Sequence, residues 1–158
     1  MVSLIIIEVA SVEHLNKLYE IEKKCFESEA FSKKHLYNLL IHPNSINLIA
    51  RSGKTIVGFI IGITYYEDNM LIGHILTIDV LPEYRRRGIG AKLLSEIEKI
   101  FMERGVLKCR LEAREDNTAA ISLYKKFGYL EVRKISRYYG GVDGVLFEKF
   151  IGERSWKL

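Results

Sequence analysis

The sequence predicts an α/β fold, a mixed sheet covered by helices, and three observations predict it. Apolar residues alternate between a period of two and a period near 3.6, giving the order β-α-α-β-β-β-α-β-α-β-β. Residues 76–94, LTIDVLPEYRRRGIGAKLL, run from an apolar strand through basic residues and two glycines into an amphipathic helix. At 158 residues the chain is long enough for one domain, spanning 1–158, with a sizeable core, and short for two.

Each element follows from local chemistry. The start, MVSLIIIEVA, is apolar for a few residues only, has no basic leader or small-residue cleavage site, and reads as a strand over about 3–9 rather than a signal peptide. Ser11 is a good N-cap for a helix carrying Val12, Leu15, Leu18, Tyr19 and Cys25. Ser32 starts a second helix with Leu36, Leu39 and Leu40, which His42-Pro43 ends. Strands follow at about 46–51, 55–65 and 70–80, with Ser52-Gly53-Lys54 as a hairpin turn. A long helix after Gly90 puts Leu93, Leu94, Ile97, Ile100 and Phe101 on one face and closes at Gly105. A strand at about 107–113, a helix from Asn117 to Phe127 stopped by Gly128, and strands at about 129–137 and 144–150 complete the chain.

Bulk properties narrow the function. A formal charge of +4 and a pI near 9.0 suit a polyanionic ligand, but the basic residues are spread out, so direct nucleic-acid binding is not expected. No run approaches the ~20 apolar residues that span a bilayer, so no membrane association is expected. Cys25 and Cys109 stand alone, which points to reduced thiols and a cytoplasmic location. His14, His35, His42 and His74 lack ligand spacing, so no metal is expected.

The stretch at 76–94 has the makings of an anion site. Arg85, Arg86 and Arg87 bring positive charge, Gly88 and Gly90 allow close backbone approach, and the helix through Ile89 and Ala91 aims unpaired N–H groups at the same spot. The natural guest is a phosphate or pyrophosphate. It is not a dinucleotide fingerprint, which needs a third glycine where Leu93 stands. Nor is Gly53-Lys54-Thr55 a Walker loop, because Leu48 replaces the earlier glycine and a strand follows.

The Arg85, Gly88, Gly90 order after a strand resembles motif A of the GCN5-related N-acetyltransferases (GNAT), and residues 111–129, LEAREDNTAAISLYKKFGY, resemble that family's second signature through Asn117, Ala120, Leu123, Tyr124, Gly128 and Tyr129. The resemblance spans essentially the whole chain and is nearest to the branch that acetylates protein N-termini, including ribosomal-protein alanine acetyltransferases and archaeal N-terminal acetyltransferases. It implies a single-domain GNAT fold, with a mostly antiparallel sheet splayed in a V and helices on both faces. It also implies acetyl-CoA as co-substrate and direct attack of an amine, through a tetrahedral intermediate, without an acyl-enzyme. In the family, backbone groups of residues matching Ile78, Asp79 and Val80 hold the pantetheine arm, those matching Arg85 to Ala91 clasp the pyrophosphate, and the Val80 N–H is the oxyanion donor. Asn117 matches an asparagine that contacts the cofactor, and it is equally suited to cap a helix.

For the chemistry, Glu112 matches the catalytic glutamate of the bacterial alanine acetyltransferases, and Tyr124, twelve positions on, their acid. Read alone, Glu112 is also an ordinary strand glutamate and Tyr124 an ordinary core tyrosine. His74 occupies the position of a tyrosine base in some relatives, so the base is either Glu112 or His74, or shared. Tyr138-Tyr139-Gly140-Gly141 resembles the tyrosine-rich turn over the entering peptide, and Phe26 and Glu29 match the other wall of that site. Where relatives carry proline, Glu27-Ser28-Glu29-Ala30 departs from the pattern, leaving the first-residue preference open. The implied acceptor is a protein N-terminus, on a ribosomal protein or a nascent chain, with the enzyme a monomer or homodimer. Two other readings remain: an N-acetyltransferase for lysine or a small amine such as a polyamine or aminoglycoside, and a non-catalytic acetyl-CoA-binding, ribosome-associated module.

Overall fold

The computed structural model describes residues 4–152. Eleven principal elements run β1 (Ile5–Val9), α1 (Leu15–Phe26), α2 (Lys33–Ile41), β2 (Ser45–Ser52), β3 (Thr55–Glu67), β4 (Met70–Val80), α3 (Ile89–Glu103), β5 (Lys108–Arg114), α4 (Thr118–Lys126), β6 (Leu130–Tyr139) and β7 (Val142–Phe150). This is the expected order, although Ser3, assigned to the first strand, lies outside the described residues. Seven strands form a mostly antiparallel sheet in which β4 and β5 pair in parallel. That pair needs a crossover, and α3 supplies it. Among the described residues no helix is long and apolar enough to cross a membrane.

Described residues within Met1–Ile63 and Thr77–Ile100 form one compact unit, and those within Thr64–Leu76 and Phe101–Leu158 form another, so β3 and β4 contribute to both. In the first unit the strand order is β1-β2-β3-β4. Its core is built on Leu18, Ile21, Leu36, Ile49, Phe59, Ile60, Leu93, Leu94 and Ile97, all fully buried. β2 and β3 join through a two-residue turn in which Gly53 has φ 61°, with Ser52 facing Thr55, as the sequence indicates. One start differs from expectation. Ser11 opens a 3-10 turn over Val12–His14 before α1, and its N–H donates to His14 Nδ1 at 3.0 Å. Ser32 caps α2 as expected, its hydroxyl accepting from the His35 N–H at 3.1 Å.

In the second unit the order is β4-β5-β7-β6, with β4 and β5 in register from Ile72 opposite Lys108 to Ile75 opposite Leu111. Buried Ile72, Phe101, Cys109, Leu111, Tyr129 and Phe147 make its core. Gly73 sits directly beneath the Phe101 ring, where a Cβ would come within 2.7 Å of a ring carbon. Along β5 the burial alternates, so Cys109, Leu111 and Ala113 face the core while Arg110 and Glu112 point to the other face.

Candidate active site

In the first unit, β4 ends in a strand whose alternation buries Thr77 and Asp79 and leaves Ile78 and Val80 half-buried. The backbone then turns through a 3-10 segment, Pro82–Tyr84, into an exposed loop of Arg85, Arg86, Arg87 and Gly88. Arg86 at φ 64° and Gly88 at φ 78° are both left-handed, which bends the loop onto the N-terminus of α3. A Cβ added to Gly88 would meet nothing within 4 Å, so the cradle is open. The first α3 hydrogen bond is Lys92 N–H to Gly88 O at 3.0 Å. The N–H groups of Ile89, Gly90 and Ala91 therefore precede the intrahelical ladder and face outward along the helix axis. Arg87 lies over the Tyr84 ring, 5.0 Å from its centroid, and Arg85 Nε donates to Val80 O at 2.9 Å, tying the loop to the strand end. Three cations, open backbone and a helix N-terminus fit a pyrophosphate such as that of acetyl-CoA.

Behind that strand lies a buried cluster that sequence reasoning did not find. Asp79, 1% exposed, accepts from the Thr77 hydroxyl at 2.6 Å, and that hydroxyl is also 3.2 Å from Glu22 of α1. Burial, and next the nearby Glu22 carboxylate, push the Asp79 carboxyl well above its usual range. Glu22 in turn accepts from the Phe31 N–H at 3.0 Å, anchoring the connection between α1 and α2. Cys25 lies 3.5 Å from Val80 O, and burial, with the Asp79 charge second, pushes its thiol up to about 11. Neither Cys25 nor Cys109 is joined in a disulfide. Phe26 closes α1, Glu27 breaks the helix at φ 49°, and Glu29 ends the following 3-10 turn.

In the second unit, His74 of β4 and Glu112 of β5 come together. His74 Nε2 is 2.7 and 2.9 Å from the Glu112 carboxylate oxygens, and both side chains are about five-sixths buried, at 17% and 15% exposed. Glu112 is thus a partnered, partly buried carboxylate rather than a plain surface strand residue. The pair shares a cavity with the charged Glu67, Lys108, Arg110, Arg133 and Glu148 and the apolar Val132, Ile135 and Leu146. His74 Nδ1 lies 2.8 Å from Tyr65 Oη, and Arg110 Nη1 donates to that same oxygen at 3.1 Å. Tyr65 and Arg110 carry no family signature. The one sequence signal was the period-two pattern that sets Arg110 and Glu112 on one face of β5.

Tyr124 is 5% exposed on α4, its ring centroid 6.1 Å from those of Tyr129 and Phe147. Asn117 caps α4, its Oδ1 accepting from the Ala120 N–H at 3.1 Å. The β6–β7 turn carries Gly140 at φ 66°, and Tyr138 and Tyr139 meet edge-on with centroids 4.8 Å apart. Tyr138 lies against Gly144, where a Cβ would approach it to 3.0 Å. Burial first, and the Glu112 charge second, push the Tyr138 phenol up, so Tyr138 is within electrostatic reach of that carboxylate. Phe26 and Glu29 belong to the first unit, and Tyr138 and Tyr139 to the second.

Comparison with known proteins agrees with this picture. A family model described as Acetyltransferase (GNAT) family matches residues 15–129. The chain is 32% identical over 103 residues to the N-terminal acetyltransferase B complex catalytic subunit NAA20 of Arabidopsis thaliana, a match covering 64% of this chain and 59% of that protein. It is 43% identical over 76 residues to an N-alpha-acetyltransferase of Sulfurisphaera tokodaii, covering 47% of this chain and 46% of the relative. The matched segment thus spans about half the length of these two curated relatives. The ribosomal-protein-S18-alanine N-acetyltransferase of Escherichia coli superimposes with a TM-score of 0.86 at 25% identity, covering 98% of this chain and 99% of that one.

Proposed function

The chain belongs to the GNAT acetyltransferase family, and from that premise we propose that it transfers the acetyl group of acetyl-CoA to the free α-amino group of a protein N-terminus. The observation that carries the reading is the Glu112 carboxylate, held by His74 and within electrostatic reach of Tyr138. Similarity to proteins named N-alpha-acetyltransferases supports the choice of acceptor.

Acetyl-CoA supplies the acetyl group as an activated thioester. In the first unit, the N–H groups of Ile89, Gly90 and Ala91 with Arg85 to Arg87 bind pyrophosphate. The backbone of Ile78, Asp79 and Val80 orients the cofactor's arm, and the Val80 N–H steadies charge on the acetyl oxygen. In the second unit, the Glu112–His74 pair takes the proton of the acceptor amine. Tyr124 returns a proton to the departing sulfur, and no group of the chain is acetylated on the way. Asn117 adds a cofactor contact to its capping role. Tyr138 and Tyr139 present phenols to the acceptor backbone, while Phe26 and Glu29 receive its first residue. A model α-amine ionises near 8 against about 10.4 for lysine, so a carboxylate base is better matched to N-termini. Ribosomal proteins and nascent chains are the natural acceptors.

Acetyl transfer to short peptides varied at residue one, run beside N-terminally blocked lysine peptides and polyamines, tests this. Turnover is expected on free N-termini only, and Tyr124→Phe is expected to lower kcat by ~10²-fold or more. Turnover confined to lysine or polyamine would move the acceptor to those amines. Binding of acetyl-CoA without any turnover would reduce the protein to a non-catalytic module.

A further inference from the structure

Two groups at the second unit's cavity can accept a proton, and a residue outside the family signatures decides between them. Arg110 is the fixed point. A guanidinium has five N–H donors, no acceptor, and a charge it does not give up in proteins. Its 3.1 Å contact with Tyr65 Oη therefore has one direction, Arg110 donating and the phenol oxygen accepting. The single phenol proton is left for the other neighbour of that oxygen, His74 Nδ1, at 2.8 Å. Receiving it requires a lone pair, so Nδ1 carries no hydrogen. A neutral imidazole has one N–H, which then lies on Nε2 and points at the Glu112 carboxylate, 2.7 and 2.9 Å away.

The chain of contacts is braced from outside. Arg110 Nη2 donates to Glu67 at 2.6 Å and Nε to Glu148 at 2.7 Å, and Lys108 reaches the second Glu148 oxygen at 3.3 Å. The Arg110 side chain is 15% exposed, so neither rotation nor water readily releases its hold on Tyr65. The charged or titratable groups that the surrounding elements bring to His74, Glu112 and their cavity are Tyr65 and Glu67 of β3, Lys108 and Arg110 of β5, Arg133 and Tyr138 of β6, and Glu148 of β7.

We infer that Tyr65 is a positioning residue that fixes His74 as the neutral Nε2–H tautomer, which leaves Glu112 as the group that deprotonates the acceptor amine. The acceptor amine rests on the acetyl-transfer reading; the tautomer does not. With the Nδ1 lone pair held by Tyr65 and Nε2 already protonated, His74 has no free site for an incoming proton. The amine N–H bond breaks, an O–H bond forms on a Glu112 oxygen, and His74 gains and loses nothing. It steadies the carboxylate through Nε2–H and keeps it turned toward the cavity.

Nuclear magnetic resonance on protein with isotope-labelled histidine, its His74 ring assigned by His74→Gln, reads the two ring nitrogens directly. At neutral pH an unprotonated Nδ1 and a protonated Nε2 are expected, and a protonated Nδ1, in either the other tautomer or the imidazolium, overturns the inference. In Tyr65→Phe, loss of the donor facing Nδ1 should bring a protonated Nδ1 signal into the neutral-pH spectrum. A spectrum unchanged at Nδ1 removes the role given to Tyr65. In the transfer assay Glu112→Gln should lose ~10²–10⁴-fold in kcat. His74→Gln keeps an amide donor for Glu112 and should lose no more than about tenfold; the reverse ranking makes His74 the base. Absence of transfer in the unaltered protein, with the Nε2–H signature present, would overturn the acetyl-transfer reading and uphold the Tyr65 assignment.

Discussion

Asp79 shows how two adjacent facts on one strand produce a titration that no motif describes. Period two turns its side chain inward beside Thr77 and Glu22, so burial, and then the neighbouring carboxylate, raise its ionisation well above the ordinary range. In the unfolded chain it ionises near 3.9. Between that value and the raised folded value, the folded state holds the extra proton, so stability present at low pH is lost as pH rises through the folded value. Asp79→Asn keeps an oxygen for Thr77, offers N–H to Glu22 and cannot ionise. Its melting temperature should therefore fall less than the unaltered protein's as pH rises from 4 toward 7, by ~2–4 °C for each kcal/mol that the buried proton contributes. Parallel melting curves across that range would show that the proton is not shared with folding. Glu112 and Tyr124 were legible as residues because family signatures contain them. Tyr65, Arg110 and Glu22 were not, because their partners lie 9 to 55 positions away, and Asp79 was expected for its backbone alone, not for its buried carboxyl.

At the level of elements, the strand-loop-helix unit from β4 to α3 is the proposed cofactor-binding segment, and its open cradle is set by backbone geometry more than by side chains. Gly88 holds φ 78° with open space where a Cβ would go, so the obstacle to substitution is torsional rather than steric crowding. A β-branched residue there pays ~1–2 kcal/mol to stay left-handed or swings the loop off the α3 N-terminus. Gly88→Val should weaken coenzyme A binding about tenfold by calorimetry while circular dichroism stays unchanged. Unaltered affinity would mean the loop does not touch the pyrophosphate. Element order was readable because each start or stop has local chemistry: Ser32 capping α2, Asn117 capping α4, Gly53 in the β2–β3 turn. The exception also has a local cause. The His14 ring takes the Ser11 N–H and tightens the first turn into 3-10 geometry, which the spacing of apolar residues does not record.

For the molecule as a whole, a formal charge of +4 accompanies an exposed run of Arg85, Arg86 and Arg87, so its field favours a polyanionic guest. Raising ionic strength from about 0.1 to 1 M shortens the screening length from ~10 to ~3 Å and should weaken coenzyme A binding several-fold. A salt-independent affinity would show that hydrogen bonds rather than charge hold the pyrophosphate. The sequence by itself determined the α/β class, the element order and the family, because periodicity, caps and glycine placement act over a few residues and motif spacing is preserved along the chain. Only the tertiary structure decided that Glu112 is partnered by His74, that Arg110 and Tyr65 set the direction of the hydrogen bonds reaching that histidine, and that Asp79 is buried against Glu22. Those contacts join strands and helices distant in sequence, and a donor or acceptor has no direction until its neighbours in space are fixed.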